Sequence, residues 1–142
     1  MSVEERDEFL AVERMCRVGT VDSDGAPHVS PLWFAWDGTA IWLNSIVGSK
    51  RWANLMQDGR ISVTVDAGIE FSELRGVEIT GTAEVVGDVP RTDGYLESVR
   101  EPEQLFGEKY LGSTFRADGR HAWLRIVPEK FVSWDFRKMP VP

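Results

Sequence analysis

The sequence predicts one mainly β (α+β) domain in which six or seven antiparallel strands close, or nearly close, into a barrel with a few short helices. Two observations support this fold class. Apolar and polar residues alternate through several short segments, as in strands that bury one face. Helical patterns are few, so the chain lacks the regular strand and helix alternation of a doubly wound nucleotide fold. Closure would also remove exposed strand edges.

Composition narrows the classes of function. The 142 residues, 42% of them hydrophobic, suit a single domain over 1–142. A net charge of -7 without a basic run argues against nucleic acid as a partner. The lone Cys16 cannot form an internal disulfide, and neither His28 nor His121 has partners at a metal-ligand spacing, so no metal is expected. The polar N-terminus predicts a cytoplasmic protein with no membrane association.

The first third of the chain predicts a helix and three strands. Apolar residues among charged ones over Val3–Met15 indicate an amphipathic helix. Strands Cys16–Val21 and His28–Trp36 flank a turn-forming cluster and are rich in branched and aromatic residues. A second turn at Asp37-Gly38 leads into the strand Ala40–Ser45.

The middle of the chain predicts one helix and two strands. Apolar residues at helical spacing mark a short helix over Ser49–Gln57, which Asp58-Gly59 ends. Strict alternation then indicates strands Arg60–Asp66 and Val77–Val86. In the second of these, Gly81 on the apolar face predicts a bend or a close approach of another backbone.

The last third predicts one or two helices and two closing strands. Pro90–Tyr110 is polar and acidic with regularly placed apolar anchors, as expected of helices. Strands Arg120–Val127 and Lys130–Phe136 follow, separated by Pro128-Glu129.

The most informative residues for function open the helix after Ala40–Ser45. Lys50 and Arg51 occupy its first turn, where a cation opposes the helix dipole. A bound anion would explain their position, and free N–H groups of that turn would add donors for it. The other interpretation is that both are solvated cations near carboxylates such as Asp58. Cys16 is expected to be a small buried hydrophobe, and His28 has no triad-like context for catalysis.

Several of these pieces occur in a characteristic order: Pro27 to Phe34, Asp37-Gly38, Ile41-Trp-Leu, Gly48 to Arg51, and Asn54 onward to Asp66. In this order the chain resembles the pyridoxamine 5'-phosphate oxidase-like, FMN-binding split β-barrel superfamily, and the likeness covers most of its length. The resemblance implies a homodimer with cofactors at the subunit interface. It also implies that Lys50 and Arg51, with Ser49 beside them, hold the cofactor phosphate.

The same resemblance implies roles for other residues. Asn44 and Ser45 would contact the ribityl chain or ring edge, and Ser30 would donate a hydrogen bond along the ring system. Most tryptophans are expected in the core or the dimer contact, whereas Trp33 and Trp134 are candidates to face a flat ring.

Within the superfamily, the chain is most similar to the actinobacterial members that use the deazaflavin coenzyme F420. A polyglutamate tail on that cofactor would need basic residues, for which Arg137, Lys138 and Lys109 are candidates; the other interpretation of the C-terminal pair is solvated surface. The predicted activity is hydride transfer to a small planar conjugated substrate, with the cofactor supplying the chemistry. Two alternatives stay open: an FMN-dependent oxidase or reductase, and a non-catalytic flavin or tetrapyrrole carrier.

Overall fold

The computed structural model describes residues 1–140 and consists of a curled β-sheet with three α-helices around it. In chain order, the elements are α1 (Val3–Val12), β1 (Cys16–Val21), β2 (Pro27–Leu32), β3 (Phe34–Trp36), β4 (Ile41–Ile46), α2 (Lys50–Gln57), β5 (Arg60–Ala67), β6 (Arg75–Val86), α3 (Glu97–Phe106) and β7 (His121–Asp135). A π-helical turn, Gly107–Leu111, continues α3. The mainly β prediction is confirmed.

All strand pairs are antiparallel, and the seven strands lie in the order β2-β1-β5-β6-β7-β4-β3. β2 and β3 therefore form opposite edges of the sheet, yet only Trp33 separates them in the chain. Because consecutive Cα atoms are about 3.8 Å apart, the two edges must come within about 8 Å of each other at this point. The sheet is thus curled into a split barrel, joined at Trp33.

Two of the predicted strand boundaries are wrong. The predicted strand His28–Trp36 is two strands, because the chain leaves one sheet edge after Leu32 and enters the other at Phe34. Conversely, the two predicted closing strands are one continuous strand, β7. Its pairing with β6 shifts register between Thr80 and Gly81, which leaves Glu129 as an extra residue. This bulge accommodates the proline that suggested a break.

Gly81 lies at the bulge, and the predicted close approach is confirmed. A side chain there would come within 2.8 Å of the Val127 carbonyl oxygen and 3.1 Å of Ile126. Glycine is the residue that lets the two backbones meet at this distance.

The main core fills the inside of the curled sheet, and a second apolar cluster lies beneath α3. Fully buried Val18, Val63, Val77 and Leu124 are typical of the first, as the alternating pattern predicted. Cys16 is also fully buried, and burial raises the pKa of its thiol to about 12. Among residues 1–140, no helix has the length and apolar character needed to cross a membrane.

Candidate functional site

A pocket of about 380 Å³ lies where the two sheet edges meet, between the start of α2 and the end of α3. One wall is aromatic and apolar and includes Trp33, Phe106, Leu111 and Phe115. The polar lining residues are Asn44, Arg51, Arg116, Asp118 and His121. The pocket thus combines a surface for a flat apolar group with an excess of cationic side chains.

Arg51 is the most unusual residue of the pocket. Its side chain lies on the inner face of α2 with only 8% of its surface exposed. Nε donates to Ser45 Oγ at 3.1 Å and Nη1 donates to Ser30 Oγ at 2.6 Å. No carboxylate lies within ion-pair distance in the part of the chain that the structure describes, and burial lowers the pKa of its guanidinium. A buried cation held only by two neutral hydroxyls retains its capacity to bind an anion.

Three of the predicted site residues, Ser30, Ser45 and Arg51, form one hydrogen-bonded group, and Ser49 has a separate role. Ser30 comes from β2 and Ser45 from β4, and both hydroxyls orient the guanidinium of Arg51. Ser49 is the N-cap of α2, where its Oγ accepts from the Trp52 N–H at 3.1 Å. The cap fixes the first turn of α2 and so the direction in which Arg51 projects.

Lys50 points elsewhere. Its side chain is 57% exposed and its Nζ lies 3.8 Å from Asp22 Oδ2 in the turn between β1 and β2. The adjacent cations thus have different environments, one buried in the pocket and one at the surface beside a carboxylate.

Asn44 and Trp33 both line the pocket. The Oδ1 atom of Asn44 is buried and has no hydrogen-bond partner among the described residues, which leaves an acceptor ready for an N–H or O–H group. Trp33 is 41% exposed, and Tyr110 stacks on its ring at 4.3 Å and 6°. One face of the indole is therefore covered and supported by the protein.

Sequence reasoning missed the polar residues that follow the π-helical turn. His121 Nδ1 lies 2.5 Å from Asp118 Oδ2, and both residues line the pocket. Arg116 lines it as well and is exposed. The signal for the pair was the Asp118-Gly119 turn directly before a strand, although the sequence does not show which pocket this turn borders.

The remaining predicted residues lie away from this pocket. Trp134 is near the far end of β7, about 40 Å of extended strand from His121, and packs against Gly76. Arg137 pairs with Asp135 at 2.7 Å, and Lys138 pairs with Glu5 at 2.6 Å. Their placement does not bring them to Arg51 within one chain.

Lys109, the other candidate for a cofactor tail, is largely buried. Its Nζ donates to the carbonyl oxygens of Leu10 at 3.2 Å and Phe34 at 3.5 Å and lies 3.9 Å from the Phe34 ring centroid. These contacts tie the π-helical turn to α1 and β3, and Lys109 lines a different pocket from Arg51.

Comparison with known proteins identifies the family and the fold. A family model described as pyridoxamine 5'-phosphate oxidase matches residues 2–135. Among curated proteins, none matches the chain. A conserved hypothetical protein from Mycobacterium tuberculosis has a similar structure, with 30% identity and a TM-score of 0.83 over 100% of this chain and 89% of that one.

Two further structures share the fold at lower identity. An F420 reductase is 20% identical with a TM-score of 0.67, covering 89% of this chain and 94% of its own. The haem storage protein HutZ from Vibrio cholerae is 16% identical with a TM-score of 0.70, covering 91% and 92%. Since the family model spans nearly the whole chain, the protein belongs to the pyridoxamine 5'-phosphate oxidase family of split β-barrels.

Proposed function

We propose that the pocket at Arg51 binds a flavin-type cofactor, coenzyme F420, and that the protein is an oxidoreductase acting on a small planar conjugated substrate. The observation that carries this proposal is the buried guanidinium of Arg51, which has two hydroxyl partners and no carboxylate among the described residues. A buried charge without a counter-ion is costly, and an anionic ligand would remove that cost.

The residues of the pocket fit such a cofactor group by group. Arg51 and the free N–H groups of the first α2 turn suit a phosphate. The unpartnered Asn44 Oδ1 suits a ribityl hydroxyl or a ring N–H. The wall formed by Trp33 and Phe115 suits the flat face of a tricyclic ring.

When bound, the cofactor would supply hydride transfer, while this chain would bind and orient it. Arg51 would hold the phosphate end of the cofactor. Asn44 would orient the ribityl hydroxyl or ring N–H that it contacts. The aromatic wall would exclude water from one side of the ring, and the tilted contact of Phe106 with Trp33, at 5.9 Å, stiffens that wall. Preorganised contacts of this kind place a ligand without further ordering cost.

Two points favour the deazaflavin over FMN. The short chain, without longer substrate-binding segments, is most similar to the F420-using branch, and an F420 reductase shares this fold. Coenzyme F420 also carries an anionic tail beyond its phosphate. The exposed Arg116, at the rim of the pocket, supplies a cation for it without an ion-pair partner in residues 1–140.

We also propose that the protein acts as a homodimer. Three predicted cofactor residues lie at or beyond the end of β7 that is far from His121: Trp134, Arg137 and Lys138. They therefore do not reach the pocket of their own subunit. A second copy could bring them to it. Val29 on the edge strand β2 is 68% exposed, which provides apolar surface for such a contact.

The experiment is a titration of the apo-protein with F420 and, separately, with FMN, followed by cofactor fluorescence. Micromolar or tighter binding of F420, with FMN much weaker, is the expected result. Sedimentation velocity on the same sample tests the dimer. The reverse preference would assign the protein to an FMN-dependent activity, and failure to bind either cofactor would contradict the proposal and favour a carrier of another ligand, such as a tetrapyrrole.

A further inference from the structure

The start of β7 carries a histidine whose position the family likeness does not explain. His121 pairs with Ile46 at the end of β4, and the Val47 N–H donates to the Arg120 carbonyl oxygen at 2.9 Å. Because α2 begins at Lys50, these contacts hold the start of β7 beside the first turn of that helix. His121 and Arg51 both line the pocket.

Asp118 holds both the backbone and the ring of His121 through hydrogen bonds. Its Oδ1 accepts from the backbone N–H groups of Arg120 at 2.8 Å and His121 at 3.0 Å, and its Oδ2 accepts from His121 Nδ1 at 2.5 Å. Burial opposes ionisation of Asp118, but these hydrogen bonds outweigh it and lower the pKa of the carboxyl. The carboxylate thus orients the imidazole through Nδ1.

This orientation leaves Nε2 for a ligand. Within the described residues Nε2 makes no hydrogen bond, and the side chain lines the pocket while being 26% exposed. Asp118 is the only carboxylate among the residues that line this pocket, and His121 already occupies it. Of the other charged residues that line the pocket, Arg51 and Arg116 are cations and Asp118 is an anion, so cations outnumber anions two to one.

We infer that His121, in its imidazolium form, donates from Nε2 to the phosphate group that Arg51 binds, and that Asp118 is its positioning residue. The inference rests on the proposed function, since it assigns one more residue to the same cofactor. It also adds a requirement that Arg51 alone does not impose: the ligand must place an anionic oxygen between a guanidinium on α2 and an imidazole on β7.

The test compares the 5'-phosphate of the F420 deazaflavin riboside, here the deazaflavin phosphate, with the riboside itself, which has the same ring and ribityl chain but no phosphate. His121→Asn keeps a donor near the position of Nδ1 and loses the group at Nε2, whereas His121→Gln places an amide near Nε2. We expect His121→Asn to weaken binding of the deazaflavin phosphate about 10- to 100-fold, the effect of losing one charge-assisted hydrogen bond, with riboside affinity unchanged. We expect His121→Gln to keep most of the affinity for the deazaflavin phosphate.

An unchanged affinity of His121→Asn for the deazaflavin phosphate would overturn the inference, and Asp118 and His121 would then only stabilise the turn. Equal weakening of the deazaflavin phosphate and the riboside would also overturn it, because the residue would then act on the fold or the ring. If the wild-type protein binds neither of these ligands nor F420, the proposed function itself fails, which the wild-type titration alone reveals.

Asp118→Asn provides an independent readout if His121→Asn does not fold. The amide can still accept from the backbone N–H groups of the turn, but it removes the charge that orients the ring. We expect the affinity for the deazaflavin phosphate to fall while riboside affinity and the melting temperature stay near the wild-type values. An unchanged ratio of the two affinities in this variant would overturn the positioning role.

Discussion

Two arginines of this protein are almost equally buried, but their surroundings are opposite. Arg91 is 6% exposed, and Arg51 is 8% exposed. Arg91 donates to both carboxylate oxygens of Glu103, at 2.9 and 3.1 Å, and to Asp88 at 3.4 Å. Arg51 has only the hydroxyls of Ser30 and Ser45. Hydrogen bonding to Glu103 raises the pKa of Arg91, whereas burial lowers that of Arg51.

The comparison separates a structural cation from one that is available to a ligand. The network of Arg91 is complete within the chain and includes the Trp123 indole N–H, which donates to Glu103 at 2.9 Å. It joins the segment after β6 to α3 and β7. Arg51 lies in a pocket with a further arginine and an unpartnered amide oxygen, and among the described residues it has no carboxylate partner, so it is free to bind an anionic ligand.

The largest expected effect is on the stability of the fold, at Arg91 and its partner Glu103. Arg91→Met leaves the Glu103 carboxylate buried without its counter-ion, and we expect a loss of about 3 to 5 kcal/mol in the free energy of unfolding. Urea denaturation measures it. The double variant Arg91→Met with Glu103→Gln removes the unpaired charge and keeps an acceptor for Trp123, so it should recover much of the loss. A stability close to wild type in the single variant would contradict the comparison.

The second-largest effect is on cofactor binding, at Arg51. Arg51→Met should weaken cofactor binding by about 2 to 4 kcal/mol, because the phosphate loses its charge-assisted partner. The unfolding free energy should stay constant or rise, since a buried charge without a counter-ion is removed. Fluorescence titration and urea denaturation of the same sample check both parts.

Lys50→Ala is the matched control for that variant. Its side chain is exposed beside Asp22, so the loss in binding should be below about 1 kcal/mol. The combined Lys50→Ala and Arg51→Ala variant should then lose about 2 to 5 kcal/mol, nearly all of it from Arg51. Equal effects of the two single substitutions would show that the pair binds the phosphate jointly, as the sequence motif predicts.

The sequence predicted the strands well because alternation reports directly on which face is buried. It failed at Trp33, because the chain changes sheet edge there inside a run that looks like one continuous strand. It failed again at Glu129, because a bulge inside one strand looks like a break between two strands. Arg51 was predictable because a cation in the first turn opposes the helix dipole. The pairing of His121 with Asp118 was not, because a turn motif does not specify which pocket it borders.

Lys109 is an intermediate case, and it provides the smallest expected effect. Its ammonium group has carbonyl oxygens and an aromatic face but no carboxylate among its contacts, and burial lowers its pKa from 10.5 to about 8. Below pH 8 both the folded and the unfolded chain carry the proton, so the folded state bears the full cost of the buried charge. Between about pH 8 and 10.5 the unfolded chain binds more protons, so stability rises with pH.

Lys109→Met removes this titration. The wild-type protein should therefore gain stability relative to the variant as the pH rises from 7 to 10, by at most about 3 kcal/mol, the equivalent of the pKa shift. Urea denaturation at both pH values gives the difference, in which the titrations common to the two proteins cancel. A difference that does not change with pH would show that the carbonyl oxygens of Leu10 and Phe34 compensate the ammonium as fully as Glu103 compensates Arg91.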